Sequence, residues 1–234
     1  MTTSPVEAQQ TAQVTIQGAI KAHGGEENLA KTVTGSLAAK STMALGNIET
    51  SMSWEETFDL PHRYYRKISG QLMGRDFSME YAISDGSGWI RQNGGEAKEY
   101  KGEKQPLERS WNAFLAMLPL CLGDGVKLQA AGEEKVDGRE AVGVKIQGEV
   151  VGSEAIFFFD KKTGLLVKSR RRIQHPLSRE EVEGEVLYSD FKKVSDVQYP
   201  HRITIYVSGK KVGDMEITRI EFLKQIDDHL FDKP

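Results

Sequence analysis

The chain has 234 residues, 38% of them hydrophobic and 28% charged, with a formal net charge of −3. This is the mixture of an ordinary globular protein: it excludes a disordered polymer, gives no general pull toward nucleic acid, and contains no apolar run near the ~20 residues that a membrane-spanning helix needs. No Pro/Ser-rich linker divides the chain, so residues 1–234 read as one domain.

The single cysteine, Cys121, allows no internal disulfide and is expected to be a small buried apolar residue. The first residues, MTTSPVEAQQ, lack the basic start and apolar core of a secretory signal.

Ser4-Pro5 offers an N-cap followed by proline at the first helical position, with Glu7 in the first turn where the helix dipole favours an anion. Val14 or Ile16 with Ala19, Ile20 and His23 makes a helical stripe expected to pack on a sheet. Gly24-Gly25 stops that helix, and Glu26 to Lys31 form a short second turn, giving an N-terminal helical segment over residues 1–31. From Val33 the period changes to two. Leu37 to Leu45, Ile48 to Leu60, His62 to Met73 and Arg75 to Ser84 read as successive strands of a meander.

Phe77, Met79, Tyr81 and Ile83 alternate with Ser78, Glu80, Ala82 and Ser84, and Met52, Trp54 and Phe58 repeat the pattern, so one face is expected apolar and the other wet. Trp89 to Gln92 and Glu96 to Tyr100 form a hairpin across Asn93-Gly94-Gly95. Residues 106–120 then interrupt the strands. Leu107, Trp111, Phe114, Leu115 and Leu118 recur at helical spacing, which predicts an amphipathic helix covering an apolar sheet face.

Strands resume over Val126 to Glu134, Ala141 to Gly148, Ala155 to Phe159, Leu165 to Ile173, Val182 to Phe191, Tyr199 to Val207 and Met215 to Leu223. Phe157 and Phe159 point one way, Ile156 and Phe158 the other, so both sides of that strand need cover. Open twisted sheets beyond ~10 strands curl, so about eleven strands predict a mainly β protein with a few helices, a curved antiparallel half-barrel with helices over its concave face.

Lys168, Arg170 and Arg172 are placed to face Glu181, Glu183 and Glu185 if His175-Pro176-Leu177-Ser178 closes a hairpin, a cross-strand charge ladder. The five histidines show no metal-binding spacing and default to surface turns, and the acidic pairs Glu55-Glu56 and Asp227-Asp228 default to solvated surface. No catalytic motif is present, so neither an enzyme nor a metal or cofactor is expected. The set Trp54, Phe58, Phe77, Met79, Tyr81, Trp111 and Phe114 is either a filled core or the wall of a pocket.

Six stretches resemble the lipoprotein-carrier superfamily of LolA/LolB-like and lipoprotein-sorting-like proteins: Ala22 to Leu29, Val136 to Arg139, Phe159 to Leu166, Tyr188 to Phe191, Tyr199 to Ile203 and Ile226 to Pro234. They are turns and strand ends, which report on fold more than on ligand. The resemblance implies a non-enzymatic carrier of a lipid, a lipoprotein acyl chain or another apolar ligand, in the periplasm or exported. Its partners would be that ligand and a lipoprotein or envelope protein. The ligand-contacting residues would be Trp54, Phe58, Phe77, Met79, Tyr81, Trp111, Phe114 and Leu118, with the Pro106–Leu118 helix or the N-terminal helix moving to admit the ligand. The alternative is a structural or protein-interaction module of the cell envelope whose core is filled by its own side chains.

Overall fold

The structure is a computed structural model and describes residues 5–45, 48–101, 113–151, 153–174 and 180–234. Among the described residues three α-helices, α1 (Pro5–His23), α2 (Glu26–Leu29) and α3 (Ala113–Leu120), accompany the strands. In chain order the strands are β1 (Thr34–Leu45), β2 (Ile48–Asp59), β3 (Arg63–Leu72), β4 (Arg75–Ser84), β5 (Ser87–Gln92), β6 (Lys98–Lys101), β7 (Lys127–Val136), β8 (Arg139–Gly148), β9 (Ser153–Asp160), β10 (Leu166–Gln174), β11 (Glu181–Val194), β12 (Val197–Val207) and β13 (Lys210–Phe222).

They form one open sheet in the order β6-β5-β4-β3-β2-β1-β13-β12-β11-β10-β9-β8-β7. The mainly β, antiparallel class expected from the sequence is the one observed. Among the described residues there are thirteen strands where about eleven were expected, because short β5 and β6 pair as full members. Only one neighbouring pair joins distant parts of the chain, β1 beside β13.

The chain forms two compact units, Met1–Ala30 with Phe114–Lys211, and Lys31–Ala113 with Val212–Pro234. In the first, α1 lies on β7, β8 and β12. Ala12, Ile16, Ala19 and Ile20 are buried and Val14 is exposed, so the helical stripe runs through Ile16. The expected Ser4 cap lies outside the described residues. His23 continues the stripe one turn beyond Ala19 and is fully buried, which corrects its assignment to a surface turn.

Both of its ring nitrogens are used. Nδ1 lies 2.9 Å from the Gln198 carbonyl, and Nε2 accepts the Leu166 N–H at 3.0 Å. Burial pushes the His23 pKa down to about 4, with the Gln198 hydrogen bond opposing, so the ring is neutral with its proton on Nδ1. The Asp160–Gly164 turn docks beside it. Asp160 Oδ1 accepts from the backbone N–H of Lys162 and Thr163 and from the Thr163 hydroxyl. Burial raises the Asp160 pKa, but those hydrogen bonds and the charge of Arg139 outweigh it and leave it below the usual carboxylate range. Gly164, at φ +75°, passes so near Ala22 that a Cβ there would stand 3.0 Å from that side chain.

Both faces of β9 are covered, as expected. Phe157, Phe158 and Phe159 are all buried, and Phe158 clusters with Val136, Ala141 and Val167. Over its ring lie Lys168 Nζ at 5.7 Å and the Arg170 guanidinium at 5.1 Å, apolar stems inward and charges outward. The charge ladder forms: Lys168 and Arg170 pair with Glu185 at 2.5 and 2.8 Å, and Arg172 reaches Glu181 at 3.7 Å. Glu134 of β7 joins at 3.0 Å from both Lys168 and Arg170. The His175–Ser178 turn lies outside the described residues. Cys121 is buried and its thiol is pushed up to about 12 by burial, so it behaves as the apolar residue expected.

In the second unit the supposedly wet face of β3–β5 is partly covered, which corrects the simple alternation. Ala82, Trp89 and Ala97 are buried there, with Tyr65 and Phe231 packed against them. The C-terminal segment supplies the cover: Trp89 Nε1 donates to the Phe231 carbonyl at 3.1 Å, and the Arg63 guanidinium sits 5.2 Å over the Phe231 ring.

Candidate ligand-binding face

The opposite face of the second unit carries the aromatic set. Cross-strand register lines up Phe58, Tyr64 and Ile83; then Glu56, Arg66 and Tyr81; then Trp54, Ile68 and Met79; then Met52, Gly70 and Phe77. The period of two puts all twelve on one face, because the paired strands show no slip between these rows. Phe58, Tyr64 and Ile83 are the most enclosed, at 1%, 0% and 0% exposure, whereas Met79 and Phe77 at the other end are half-buried. A cleft of about 550 Å³ lies at the same strand ends, lined by Ser69, Gly70, Gln71, Asp76, Phe77, Ser78 and Asn93; by the period of two, Ser69, Gln71, Asp76 and Ser78 belong to the other face of the sheet. Asn93 Oδ1 accepts the Ser78 N–H at 2.8 Å and fixes part of its wall.

An ion pair lies inside the apolar rows. Arg66 Nε donates to Glu56 Oε1 at 2.8 Å, and the two residues are 7% and 2% exposed. The guanidinium stands 5.0 Å from the Tyr64 ring, 5.3 Å from Trp54 and 5.7 Å from Tyr81. Burial works against the charge on Arg66, but Glu56 more than compensates and holds its pKa above the usual arginine value. Burial also raises the Tyr64 pKa well above normal, so the phenol stays protonated. The Tyr64 hydroxyl lies beside the Glu56 carboxylate, whose charge and hydrogen bond add to the effect of burial. Trp54 Nε1 donates to Ser41 Oγ at 2.6 Å. The result is an aromatic cage around a buried charge pair.

Of the expected contact residues, Trp54, Phe58, Phe77, Met79 and Tyr81 share this face. Leu118 is fully buried in α3 of the other unit, Phe114 has its backbone in α3, and the Phe114 side chain and Trp111 lie outside the described residues. Glu56 and Arg66 were missed: Glu56 was assigned to solvated surface and is instead buried. The signal was present, since Trp54-x-Glu56-x-Phe58 and Tyr64-x-Arg66-x-Ile68 each put a charge at an inward position of an alternating strand. Among the described residues no group of three His, Cys, Asp or Glu is placed to hold a metal ion, and no helix is long and apolar enough to cross a membrane.

No protein-family model matches this sequence, and no curated protein matches it. Solved structures do. A LolA superfamily protein from Nitrosomonas europaea superposes with a TM-score of 0.61 at 13% identity, over 95% of this chain and 97% of that one. A domain assigned to outer-membrane lipoprotein sorting in Vibrio parahaemolyticus gives 0.57 at 10% identity, over 96% and 97%. A DUF1329-family protein from Desulfovibrio piger gives 0.54 at 10% identity, over 94% and 97%. At such identities the likeness is one of fold. Over nearly its whole length, the chain has the fold of LolA superfamily and lipoprotein-sorting structures.

Proposed function

We propose that this protein is a non-enzymatic carrier that holds a lipid, a lipoprotein acyl chain or another apolar ligand against the face formed by β2, β3 and β4. Trp54, Phe58, Phe77, Met79 and Tyr81 are its apolar contacts. The observation that carries this reading is the grading of that face from enclosed at Phe58 and Tyr64 to half-buried at Met79 and Phe77. A purely structural face would be closed evenly, whereas a face that admits a chain needs one open end. The lipoprotein-sorting assignment of a structural neighbour supports the ligand class and a place in the cell envelope, either periplasmic or exported. The 234 residues act as one domain in this reading.

The second reading, an interaction module with a self-filled core, is favoured by the low exposure of Trp54 and Tyr81, each at 8%. Native mass spectrometry of the purified chain separates the two. A discrete added mass that extracts as lipid, present on purification or after incubation with mixed-lipid vesicles, is expected of a carrier. A clean apo mass under both conditions overturns carriage and leaves the interaction module.

A further inference from the structure

The face of β2, β3 and β4 that lies opposite the aromatic rows has a hollow whose cause is in the sequence. Cross-strand register sets Ser53, Ser69 and Ser78 side by side on three neighbouring strands. On the same face, Glu55, Lys67 and Glu80 form the row to one side, and Gln71 and Asp76 stand on the other. A row of the smallest hydroxyl side chains between rows of longer ones makes a trough. Rows on one face are about 7 Å apart and strands about 4.8 Å, so the serine floor runs about 10 Å across the strands. The cleft of about 550 Å³ opens there, with Asn93 at its β5 end, and that volume is in the range of a small-molecule site.

The polar groups of the trough are only partly engaged with one another. Asn93 Oδ1 accepts the Ser78 N–H at 2.8 Å, which leaves the two N–H groups on its Nδ2 as donors. Gln71 Nε2 donates to Asp76 Oδ1 at 3.3 Å, which leaves Gln71 Oε1 and Asp76 Oδ2 as acceptors. The Ser69 and Ser78 hydroxyls can do either. Among the described residues no lysine, arginine or histidine lines the cleft, so a phosphate or carboxylate would meet the Asp76 charge with nothing to balance it. No group of three His, Cys, Asp or Glu among them is placed to hold a metal ion. An alkyl chain would cover these hydroxyl and amide groups without replacing their water. A ring carrying several hydroxyls replaces that water bond for bond, donating to Asp76 and Gln71 and accepting from Asn93 and the serines.

We propose that this trough is a second binding site, for a neutral saccharide held by Ser69, Gln71, Asp76, Ser78 and Asn93. It lies on the other side of the sheet from the apolar rows and does not rest on lipid carriage. Each hydrogen bond is exchanged for one with water and contributes little, so a dissociation constant of about 1 mM is expected.

The test is a titration of the full ¹⁵N-labelled chain, followed through its backbone amide resonances, with three probes of matched length: chitotetraose and maltotetraose, both neutral, and anionic tetragalacturonate. At least one neutral probe is expected to shift the amides of residues 69–71, 76–78 and 93, and tetragalacturonate to bind about tenfold more weakly. Ser69→Tyr fills the middle of the trough and is expected to abolish those shifts. Gln71→Ala removes one acceptor from an exposed wall and is expected to weaken neutral binding severalfold. Asp76→Asn is expected to narrow the discrimination against tetragalacturonate, a change that a merely structural role for Asp76 would not produce. Absence of shifts at these amides with both neutral probes at about 10 mM, or neutral binding left unchanged by both Ser69→Tyr and Gln71→Ala, overturns the site. Tetragalacturonate bound as tightly as the neutral probes by the wild type overturns the assignment to a neutral ligand. Lipid carriage is read separately, by added mass, and stands or falls apart from these results.

Discussion

At the end of α1 the first unit buries a histidine; within its own apolar face the second unit buries an arginine and a glutamate. The two arrangements place polar side chains among apolar ones by opposite means. His23 enters the core by giving up its charge: its pKa is pushed down to about 4, and both ring nitrogens are spent on backbone groups of Gln198 and Leu166. Arg66 enters its core with its charge, held by Glu56 and surrounded by three rings. A neutral, saturated group is a pin. A charged pair in a cage is a structure that another molecule can compete with, and for that reason the second unit, and not the first, is where a ligand is sought.

The largest effect expected concerns the charged pair. Arg66→Met or Glu56→Leu alone leaves a buried charge without its partner and is expected to cost about 3–5 kcal/mol of stability. The double substitution is expected to cost less than either single one, because no uncompensated ion remains. Urea unfolding of the four proteins gives the coupling directly. If the double cost equals the sum of the singles, the two charges are independent, and the contrast with His23 loses its basis.

The next effect belongs to His23. Its folded pKa lies below the ordinary 6.5, so the unfolded chain binds the extra proton first. Stability is fully present above about pH 6.5 and is lost as pH falls through the window down to about 4. The whole window is worth on the order of 3 kcal/mol. His229 has a raised pKa, chiefly from its hydrogen bond to Asp232, and acts in the opposite sense, but it is exposed. Carboxylates with lowered pKa values, such as Glu185 and Asp160, lose their contribution only at lower pH. A His23→Phe variant, less stable at neutral pH because the Leu166 N–H and Gln198 carbonyl lose their partner, should have a flatter profile between pH 6.5 and 4. An unchanged slope would assign the acid sensitivity to some other group.

Most of the architecture was legible because it rests on period and turn chemistry. Alternation in Phe77 to Ile83 located β4, and the pairs Asp85-Gly86 and Asp137-Gly138, both with positive φ at each residue, form the tight turns that such pairs favour. What escaped was long-range. Nothing local tells that Leu166 and Gln198 converge on His23 across 143 and 175 residues, so a histidine already on an apolar stripe was left on the surface. Glu56 and Arg66 escaped for a related reason. Each looks like a solvated charge in its own strand, and only the register of β2 against β3 makes them one object. Five of the eight expected ligand contacts fall on one face because strand period is a local property. Leu118 belongs to a helix in the other unit, and its neighbours are set by tertiary contacts that a helical stripe does not specify.

The smallest effect expected is at the C-terminal segment, where a charge contact is present but does little. Arg63 touches Asp228, whose side chain is 81% exposed, while it also holds Asp59 at 2.7 Å and lies over the Phe231 ring. An exposed partner of an arginine already paired contributes little, so Asp228→Ala is expected to lower stability by about 0.2–1 kcal/mol, less at high salt. The segment is held instead by burial of Phe231 against Tyr65 and the Trp89 cluster and by the hydrogen bond from Trp89. A salt-dependent loss above about 2 kcal/mol in urea unfolding would reverse that ranking. It would make the charge contact, and not apolar packing, the reason the chain end stays on the sheet. It would also add a second place in that unit, beside the buried Glu56–Arg66 pair, where an ionic contact outweighs apolar packing.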